Sequence, residues 1–427
     1  MGCAAGAVAI LASGSGAQST GRAGSRAAGA DAARIQRDIA TLAADRWEGR
    51  VTCTPGNDSA AAYIAQRFAS LGLIPAGSVD SATGRTGFLH HYIARPQGAE
   101  HLHLPARCAA QNVVGMVRGT DAALRDKYVI VGGHFDHLGR GSIFATDAAA
   151  RDSIHNGADD NASGTAAVME LARLFSGHPT KRSLIFITFS GEEWGTLGSE
   201  EYVKTAIPPR AGIEAMVNFD MVGRLRGDTL LVYGTGTATE MPALLAAHNT
   251  GTPFLLRLIP DGFGPSDQTS FYADSIAVLH FFTNTHPDYH AATDVASKIN
   301  SPGEARVIDY AARVIRDLGD RAERLSFVSQ PPPRPMNGGG NVYLGSVPDM
   351  AAGDVPGLRL SGVTPGSPAD KGGLKGGDLV VELGGKPVTD LQSYSEALYA
   401  HKPGDVVSVV VVRGGARVTL HVTLGSR

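Results

Sequence analysis

The chain has 427 residues, of which 43% are hydrophobic and 19% charged, with a formal net charge of −3. This length suits one large domain with a small one, and the composition is that of a globular protein. The small net charge offers no strongly basic surface, so we expect no nucleic-acid partner.

The first residues form a short apolar run rich in alanine and glycine. It extends from Met1 to Ala12, and small residues follow up to Ala17. The run is too short to span a bilayer, so we expect no stable membrane span. We interpret residues 1–20 as a secretory signal segment without the usual positive start, which predicts a periplasmic or secreted protein. A disordered alanine and glycine tail is the alternative.

Cysteine is rare in this chain. Cys3 lies in the predicted signal segment, which leaves Cys53 and Cys108 as an even pair. The two could form a disulfide in an oxidising compartment, and two buried free thiols are the alternative. Neither residue has the spacing of a metal ligand.

Hydrophobic periodicity predicts the elements of residues 30–328, which we interpret as one large domain. Apolar residues spaced three and four apart predict helices at 31–50, 58–71, 162–175 and 307–325. Continuous apolar runs predict buried strands at 128–131, 184–189, 215–219 and 277–282. Strands that alternate with helices indicate an α/β domain with a largely parallel sheet.

The composition changes after the last of these helices. Residues 329–340 are rich in proline and glycine, which predicts a linker between domains. Residues 341–427 contain short β-rich runs, glycine-rich turns and a single helix near residues 393–400. About ninety residues of this kind can fold alone as a small, partly open barrel.

Acidic and imidazole side chains lie where the predicted strands end. His134 follows the first strand, and Glu192 and Glu193 follow the second. Asp220 follows the third strand, and His290 comes a short loop after the fourth. In parallel sheets the ligand crevice lies outside the carboxyl ends of the strands, and zinc prefers imidazole and carboxylate ligands. The pattern therefore predicts a zinc site at this edge of the sheet.

Asp160 completes the predicted ligand set. It lies in a turn of small residues that leads into a helix, where the backbone can approach a metal closely. Two ions roughly 3.5–4 Å apart need one shared carboxylate, and we assign this bridging role to Asp160. His134 and Asp220 would complete one ion's ligands, and Glu193 and His290 the other's. The prediction is two zinc ions per chain.

Three further side chains are candidates for catalytic roles. Asp136 lies two residues from His134 and can accept its second ring proton, which would fix the tautomer. Glu192 is adjacent to a predicted ligand and can carry a proton from water to the leaving amine. Tyr289, next to His290, can donate a hydrogen bond to the developing oxyanion.

Each of these residues also has an ordinary interpretation. The acidic turn at 159–161 is typical of a helix N-cap, and adjacent glutamates are typical of a solvated face. The occurrence of all of them at strand ends favours the metal site. His137 and His286 lie near the same loops, and we interpret them as polar surface groups or as supports for the ligands.

Taken together, the motifs match a known family. They are Gly133-His-Phe-Asp136, Gly157-Ala-Asp-Asp-Asn-Ala-Ser-Gly164, Ser190-Gly-Glu-Glu193, Asn218-Phe-Asp220 and Tyr289-His290. Residues 30–328 resemble the M28 zinc aminopeptidases. The resemblance implies a central mixed, mostly parallel sheet flanked by helices. It also implies a dizinc site bridged by Asp160, with Glu192 as general base for removal of N-terminal residues from peptides.

Residues 341–427 resemble a PDZ domain. Val342-Tyr-Leu-Gly345 is similar to its carboxylate-binding loop, although it departs from the usual Gly-Leu-Gly-Phe pattern. The resemblance implies a small β-rich fold that binds the C-terminus of a peptide by strand addition. A stabilising appendage without a ligand is the alternative.

Two other functions fit the same sequence. A zinc carboxypeptidase or dipeptidase would need a cationic pocket for a free carboxylate, and Arg224 is the nearest candidate in the sequence. A PDZ-bearing binding protein with an inactive peptidase domain is the other, and the complete set of predicted ligands argues against it.

Overall fold

The structure is a computed structural model that describes residues 1–2, 29–96, 102, 104–142, 144–147, 152–205, 210–264, 266–330, 342–349 and 356–426. The predicted signal segment and the predicted linker lie outside the described residues, except for the first two residues of each. Among the described residues, no helix combines the length and the apolar content that crossing a membrane requires.

The larger domain is built on a nine-stranded mixed sheet. Its strands are β1 Ile74–Pro75, β2 Leu89–Ala94, β3 Cys108–Val117, β4 Tyr128–His134, β5 Ser183–Phe189, β6 Ile213–Phe219, β7 Thr229–Tyr233, β8 Leu255–Ile259 and β9 Ala277–Phe282. The spatial order is β1-β3-β5-β4-β6-β9-β7-β8, and β2 also pairs with β3. The central strands β5, β4, β6 and β9 are parallel to one another, and antiparallel strands flank them.

Helices cover both faces of this sheet. They are α1 Ala32–Leu42, α2 Pro55–Ser70, α3 Gly164–Ser176, α4 Leu197–Thr205, α5 Met241–His248, α6 Gln268–Ala273 and α7 Ser301–Asp320. Val129 and Val131 of β4 pack in the core with α1, α3 and α7, whereas Ile130 packs in the core with α4 and α6. Successive side chains of a strand point to opposite faces, so a strand with helices on both sides must be apolar throughout. The predicted mixed α/β fold is confirmed.

The largest differences from the predicted helix boundaries are at the end of α1 and at the start of α7. The first helix ends at Leu42, and a 3₁₀ segment follows at Asp45–Arg50, where Glu48 and Gly49 have φ of +48° and +71°. A right-handed helix cannot continue through these positive φ values. Helix α7 begins at Ser301, six residues earlier than predicted, because the Asn300 side chain accepts a hydrogen bond from the Gly303 N–H and caps the helix.

The C-terminal domain is small and β-rich, as predicted. Its strands are β10 Val342–Tyr343, β11 Ser346–Pro348, β12 Leu358–Val363, β13 Leu379–Leu383, β14 Lys386–Pro387, β15 Val406–Arg413, β16 Ala416–Thr423 and β17 Gly425–Ser426. Its helices are α8 Pro368–Lys371 and α9 Leu391–Leu398. The main sheet has the order β11-β12-β13-β15-β16, so β11 lies at one edge. Its apolar side chains form a core of their own.

A disulfide bond joins Cys53 to Cys108 across 55 residues. It links the segment between α1 and α2 to the first residue of β3, beside the buried side chains of Tyr92 and Ala94. Of the two alternatives that the sequence left open for this pair, the structure contains the bonded one.

Arg50 is a fully buried cation that joins three segments of backbone through four carbonyl groups. Its guanidinium donates to the carbonyls of Leu42 at 2.7 Å, Phe135 at 2.7 Å, Asn156 at 2.6 Å and Gly157 at 3.0 Å. Burial lowers its pKa to about 10, and the nearby carboxylates of Asp136 and Asp160 oppose this shift. The planar fork of an arginine can serve several acceptors at once, which the ammonium of a lysine cannot do with the same geometry.

We predict that the double variant Cys53→Ser/Cys108→Ser unfolds more easily than the native chain. Its free energy of unfolding should fall by about 2–4 kcal/mol, because the bond no longer restricts the unfolded chain. Urea unfolding followed by circular dichroism measures this change, with the native chain as the reference. Alkylation of both residues in the native, unreduced protein would contradict the bond.

We also predict that Arg50→Lys lowers the free energy of unfolding by about 2–4 kcal/mol, since buried carbonyls lose their donors. The same measurement applies, with the exposed Arg37→Lys as control because this residue lies on α1 and has no ion pair in the described part of the chain. Equal stability of the two variants would show that Arg50 does not hold these segments together.

Candidate metal centre

The fold brings the predicted ligands to one edge of the sheet. His134 is the last residue of β4, and Glu192 and Glu193 lie three and four residues beyond β5. Asp220 follows β6 directly, and His290 lies on the loop after β9. These four strands are parallel neighbours, so their carboxyl ends meet. Local sequence order and sheet topology together explain why the residues converge.

One group of ligand atoms surrounds His134. Its Nε2 lies 3.4 Å from Oδ1 of Asp160, 3.5 Å from Oδ1 of Asp220 and 3.8 Å from Oε2 of Glu192. The imidazole and the carboxylate of Asp160 are buried. One nitrogen thus faces three carboxylate oxygens across a gap that a small cation can occupy.

A second group surrounds His290. Its Nε2 lies 3.1 Å from Oδ2 of Asp160 and 3.2 Å from Oε2 of Glu193. The two oxygens of Asp160 therefore face two different imidazoles. This is the arrangement that a carboxylate shared between two ions requires.

His137 belongs to the second group, which the sequence did not reveal. Its Nδ1 lies 2.7 Å from Oε1 of Glu193 and 4.0 Å from Oδ2 of Asp160, and its ring is fully buried. The interpretation as a surface residue was wrong, and the alternative interpretation as a support for a ligand fits. Its position three residues after His134 was the only signal in the sequence.

The donor atoms fit a divalent metal such as zinc. Within the described part of the chain, Nε2 of His134, Nε2 of His137 and Oδ1 of Asp220 are buried without a hydrogen-bond partner. Unsatisfied buried polar atoms are unfavourable, and native proteins rarely retain them without a ligand or an ion. His134 with Asp160 and Asp220, and His137 with Asp160 and Glu193, are combinations whose atoms could hold an ion.

Backbone contacts hold the turn that carries Asp160. This residue lies in a π-helical turn, Ala158–Ser163, and its N–H and that of Asp159 donate to Oδ2 of Asp294 at 3.1 and 2.9 Å. The carboxylate of Asp159 bonds to the ring of His286 at 3.0 Å and accepts the N–H of Gly223 at 2.7 Å. His286 is thus a buried support and not a surface group. The role of Asp294 was not predicted, because it depends on the path of a loop.

Asp136 contacts its neighbours differently from the prediction. Nδ1 of His134 lies 3.2 Å from the main-chain carbonyl of Asp136 and 3.6 Å from its carboxylate. The carboxylate instead accepts the N–H of Glu192 at 3.2 Å and the hydroxyl of Thr52 at 3.1 Å. The tautomer of His134 is therefore set by the carbonyl, and the carboxylate positions the backbone of Glu192.

Glu192 and Tyr289 both line a cavity in front of the two groups. Burial raises the pKa of Glu192 well above its ordinary value, His134 opposes this shift, and Glu193 and Asp220 add to it. The Tyr289 ring stacks on that of His290, with 3.9 Å between their centroids. Its hydroxyl donates to no group within the described residues, so it is available to a bound molecule.

Arg224 does not line this cavity. Its guanidinium donates to Oδ2 of Asp288 at 3.0 Å, and both side chains are largely buried. Arg224, the cation that the carboxypeptidase alternative requires, therefore forms an ion pair with Asp288 and not with a substrate carboxylate.

Comparisons with known proteins agree with this geometry. Residues 112–315 match the model of peptidase family M28, and residues 342–424 match that of the PDZ domain. A probable zinc metalloprotease of Pyrenophora teres f. teres is 32% identical over 153 residues, which is 35% of this chain and 30% of that protein. The chain thus spans less than a third of the length of this relative.

Solved structures support the fold. The aminopeptidase from Aneurinibacillus sp. strain AM-1 aligns with a TM-score of 0.52 at 18% identity, covering 71% of this chain and 97% of that one. The zinc aminopeptidase BSAP from Bacillus subtilis aligns with a TM-score of 0.52 at 18% identity, covering 68% and 96%. Residues 112–315 therefore form a domain of the peptidase M28 family, and a PDZ domain follows at residues 342–424.

Proposed function

We propose that this chain is a dizinc aminopeptidase that hydrolyses N-terminal residues from peptides. The observation that carries the proposal is the position of Asp160, whose two carboxylate oxygens lie 3.4 Å and 3.1 Å from the rings of His134 and His290. The family match and the zinc metalloprotease relatives support the same metal and the same class of reaction.

The ligands divide into two sets that share Asp160. His134 and Asp220 would hold one zinc ion, and Glu193 and His290 would hold the other. Two bound ions would supply Lewis acidity for the attack of water on a peptide carbonyl. His137, at 2.7 Å from Glu193, orients that carboxylate, as a hydrogen-bonded neighbour of a metal ligand commonly does.

Glu192 is our candidate for the general base. Its carboxylate lies 3.8 Å from Nε2 of His134 and faces the cavity, and Asp136 holds its backbone in place. Burial raises the pKa of this carboxyl, which makes it a better acceptor for a proton from water. It then delivers that proton to the leaving amine. Tyr289, with its free hydroxyl in the same cavity, donates to the oxyanion.

The disulfide bond is relevant to the compartment in which the protein functions. Disulfides persist in oxidising compartments, and they are rare in the reducing cytosol. The Cys53–Cys108 bond therefore supports a periplasmic or secreted location, as does the interpretation of residues 1–20 as a signal segment.

Glu192→Gln should reduce kcat for an aminoacyl-nitroanilide by about 10²–10⁴-fold, since the amide cannot accept the proton. The zinc content of the variant should stay unchanged, because we do not assign this side chain as a ligand. Kinetic assays with parallel metal analysis measure both effects. The control is Glu200→Gln, an exposed glutamate on α4. Retention of native kcat by Glu192→Gln would exclude it as the base.

Removal of the metal should abolish hydrolysis. We expect about two zinc ions per chain in the active protein, loss of activity with a chelator and recovery when zinc returns. Asp160→Ala should bind less zinc than the native chain, because both ions lose a ligand. Metal analysis and the nitroanilide assay check these outcomes. Undiminished hydrolysis by metal-free protein would contradict the proposed function.

A further inference from the structure

The cavity in front of the metal centre is shared by the two domains. It has a volume of about 340 Å³, in the range of sites for small molecules. Glu192, Glu193 and Asp220 line it on the peptidase side, and Leu344, Ser346 and Leu398 line it on the PDZ side. The peptide groove of the PDZ domain, between β11 and α9, therefore opens directly onto the metal centre.

Two backbone donors of the PDZ domain belong to residues that line this cavity. The carbonyl of Leu344 accepts the N–H of Ala369 at 2.8 Å, and the carbonyl of Gly345 accepts the N–H of Thr364 at 2.8 Å. The N–H groups of Leu344 and Gly345 themselves donate to no group within the described residues. Successive free N–H groups in a tight turn form a concavity that binds anions such as a peptide carboxylate. Gly345, with φ of +81°, permits the turn.

The edge strand β11 continues from these donors. In an antiparallel ladder, residues alternate between pairs that bond to the partner strand and pairs that do not. Because the carbonyl of Gly345 bonds to Thr364 beside β12, the next residue, Ser346, directs its N–H and carbonyl towards the groove. The Ser346 and Tyr394 hydroxyls bond to each other and join the β11 and α9 walls of the groove.

Hydrogen bonds hold the groove against the loop that carries His290. The hydroxyl of Tyr343 donates to the carbonyl of Thr146 at 2.8 Å, and the N–H of Thr146 donates to the carbonyl of His290 at 2.9 Å. At the other end of β11, the Thr285 hydroxyl donates to the carbonyl of Pro348. The Tyr343 side chain and the backbone of one residue, Thr146, thus connect the PDZ loop to His290.

We propose that the cavity binds a short peptide by both ends at once. Its C-terminal carboxylate binds the N–H groups of Leu344 and Gly345, and its N-terminal residue lies at the metal centre. Because the cavity has a volume of only about 340 Å³, the bound peptide is a few residues long. The substrates are therefore short peptides with a free C-terminus. That these peptides are cleaved rests on the proposed function. The PDZ domain acts as a part of the active site and not as a tether for a remote partner.

The two ends of the cavity differ in charge as this orientation requires. At the metal-centre end, Asp160, Glu193 and Asp220 are assigned to the zinc ions, so Glu192 is the acid left to face the cationic amine of a peptide, and the PDZ end presents backbone donors. No lysine or arginine lines the cavity among the described residues, so the carboxylate has no competing cationic site there.

The first test compares substrates on the full-length chain. Peptides that begin with leucine and continue with two to eight glycines are prepared with free and with amidated C-termini. We expect the free tripeptide to exceed its amide in kcat/KM by about tenfold or more, because the amide lacks the charged acceptor. We also expect kcat/KM to fall at least tenfold between the tripeptide and the longest peptide. Equal values for acid and amide, or for short and long peptides, would overturn the proposal.

The second test measures binding and does not depend on cleavage. The same tripeptide and its amide are titrated into the full-length Glu192→Gln chain by calorimetry. At least tenfold tighter binding of the free acid supports the proposal even if no peptide is hydrolysed, in which case only the proposed function fails. Equal binding of acid and amide overturns the proposal even if a nitroanilide is hydrolysed.

Two variants test whether the preference for short peptides arises in the groove of the PDZ domain. Leu391 lies on α9, lines the cavity and is 38% exposed, so Leu391→Trp narrows the groove from a surface position. We expect it to lower the ratio of tripeptide to nitroanilide kcat/KM by about tenfold. The control is Leu255→Trp on β8, an exposed leucine away from the cavity, which should leave the ratio unchanged. An unchanged ratio in Leu391→Trp contradicts the proposal.

Discussion

The structure depends on one constraint, which is the close packing of four carboxylates around the imidazole rings of His134, His137 and His290. Asp160, Glu192, Glu193 and Asp220 all lie within 4 Å of a histidine nitrogen at the edge of the sheet. Two like charges 4 Å apart repel by about 4 kcal/mol at an effective dielectric constant of 20. A group of buried acids therefore favours bound cations, and the free energy of metal binding contributes to the stability of the fold.

The protein holds this group in place mainly through its backbone. Asp294 accepts two N–H groups of the turn that carries Asp160, and Arg50 donates to the carbonyls of Asn156 and Gly157 just before that turn. Arg50 also donates to the carbonyl of Phe135, the residue after His134. The same buried cation thus fixes two of the loops that supply ligands, and its positive charge partly offsets the acids. Stability and metal binding are coupled through these shared contacts.

The sequence predicted the part of the site that follows from strand order. Runs such as 184–189 are apolar on both faces, which is a strong signal, and residues directly beyond parallel strands must meet. The contributions of His137 and Asp294 could not be predicted in this way, because they depend on how irregular loops fold back. Short edge strands such as β1 and β8 also have weak patterns. The pairing of Cys53 with Cys108 needed the relative position of two segments that are 55 residues apart.

The position of the PDZ domain is another property that local patterns do not encode. It depends on a few polar contacts between side chains and backbone, such as Tyr343 with Thr146 and Thr285 with Pro348. These contacts place Leu344 and Gly345 of the PDZ domain in the same cavity as the acids of the metal centre. In the binding mode that we propose, the peptidase domain would supply the chemistry and the PDZ domain would limit the length of the substrate. A change in the contacts between domains would then alter selectivity while the residues that perform hydrolysis stay the same.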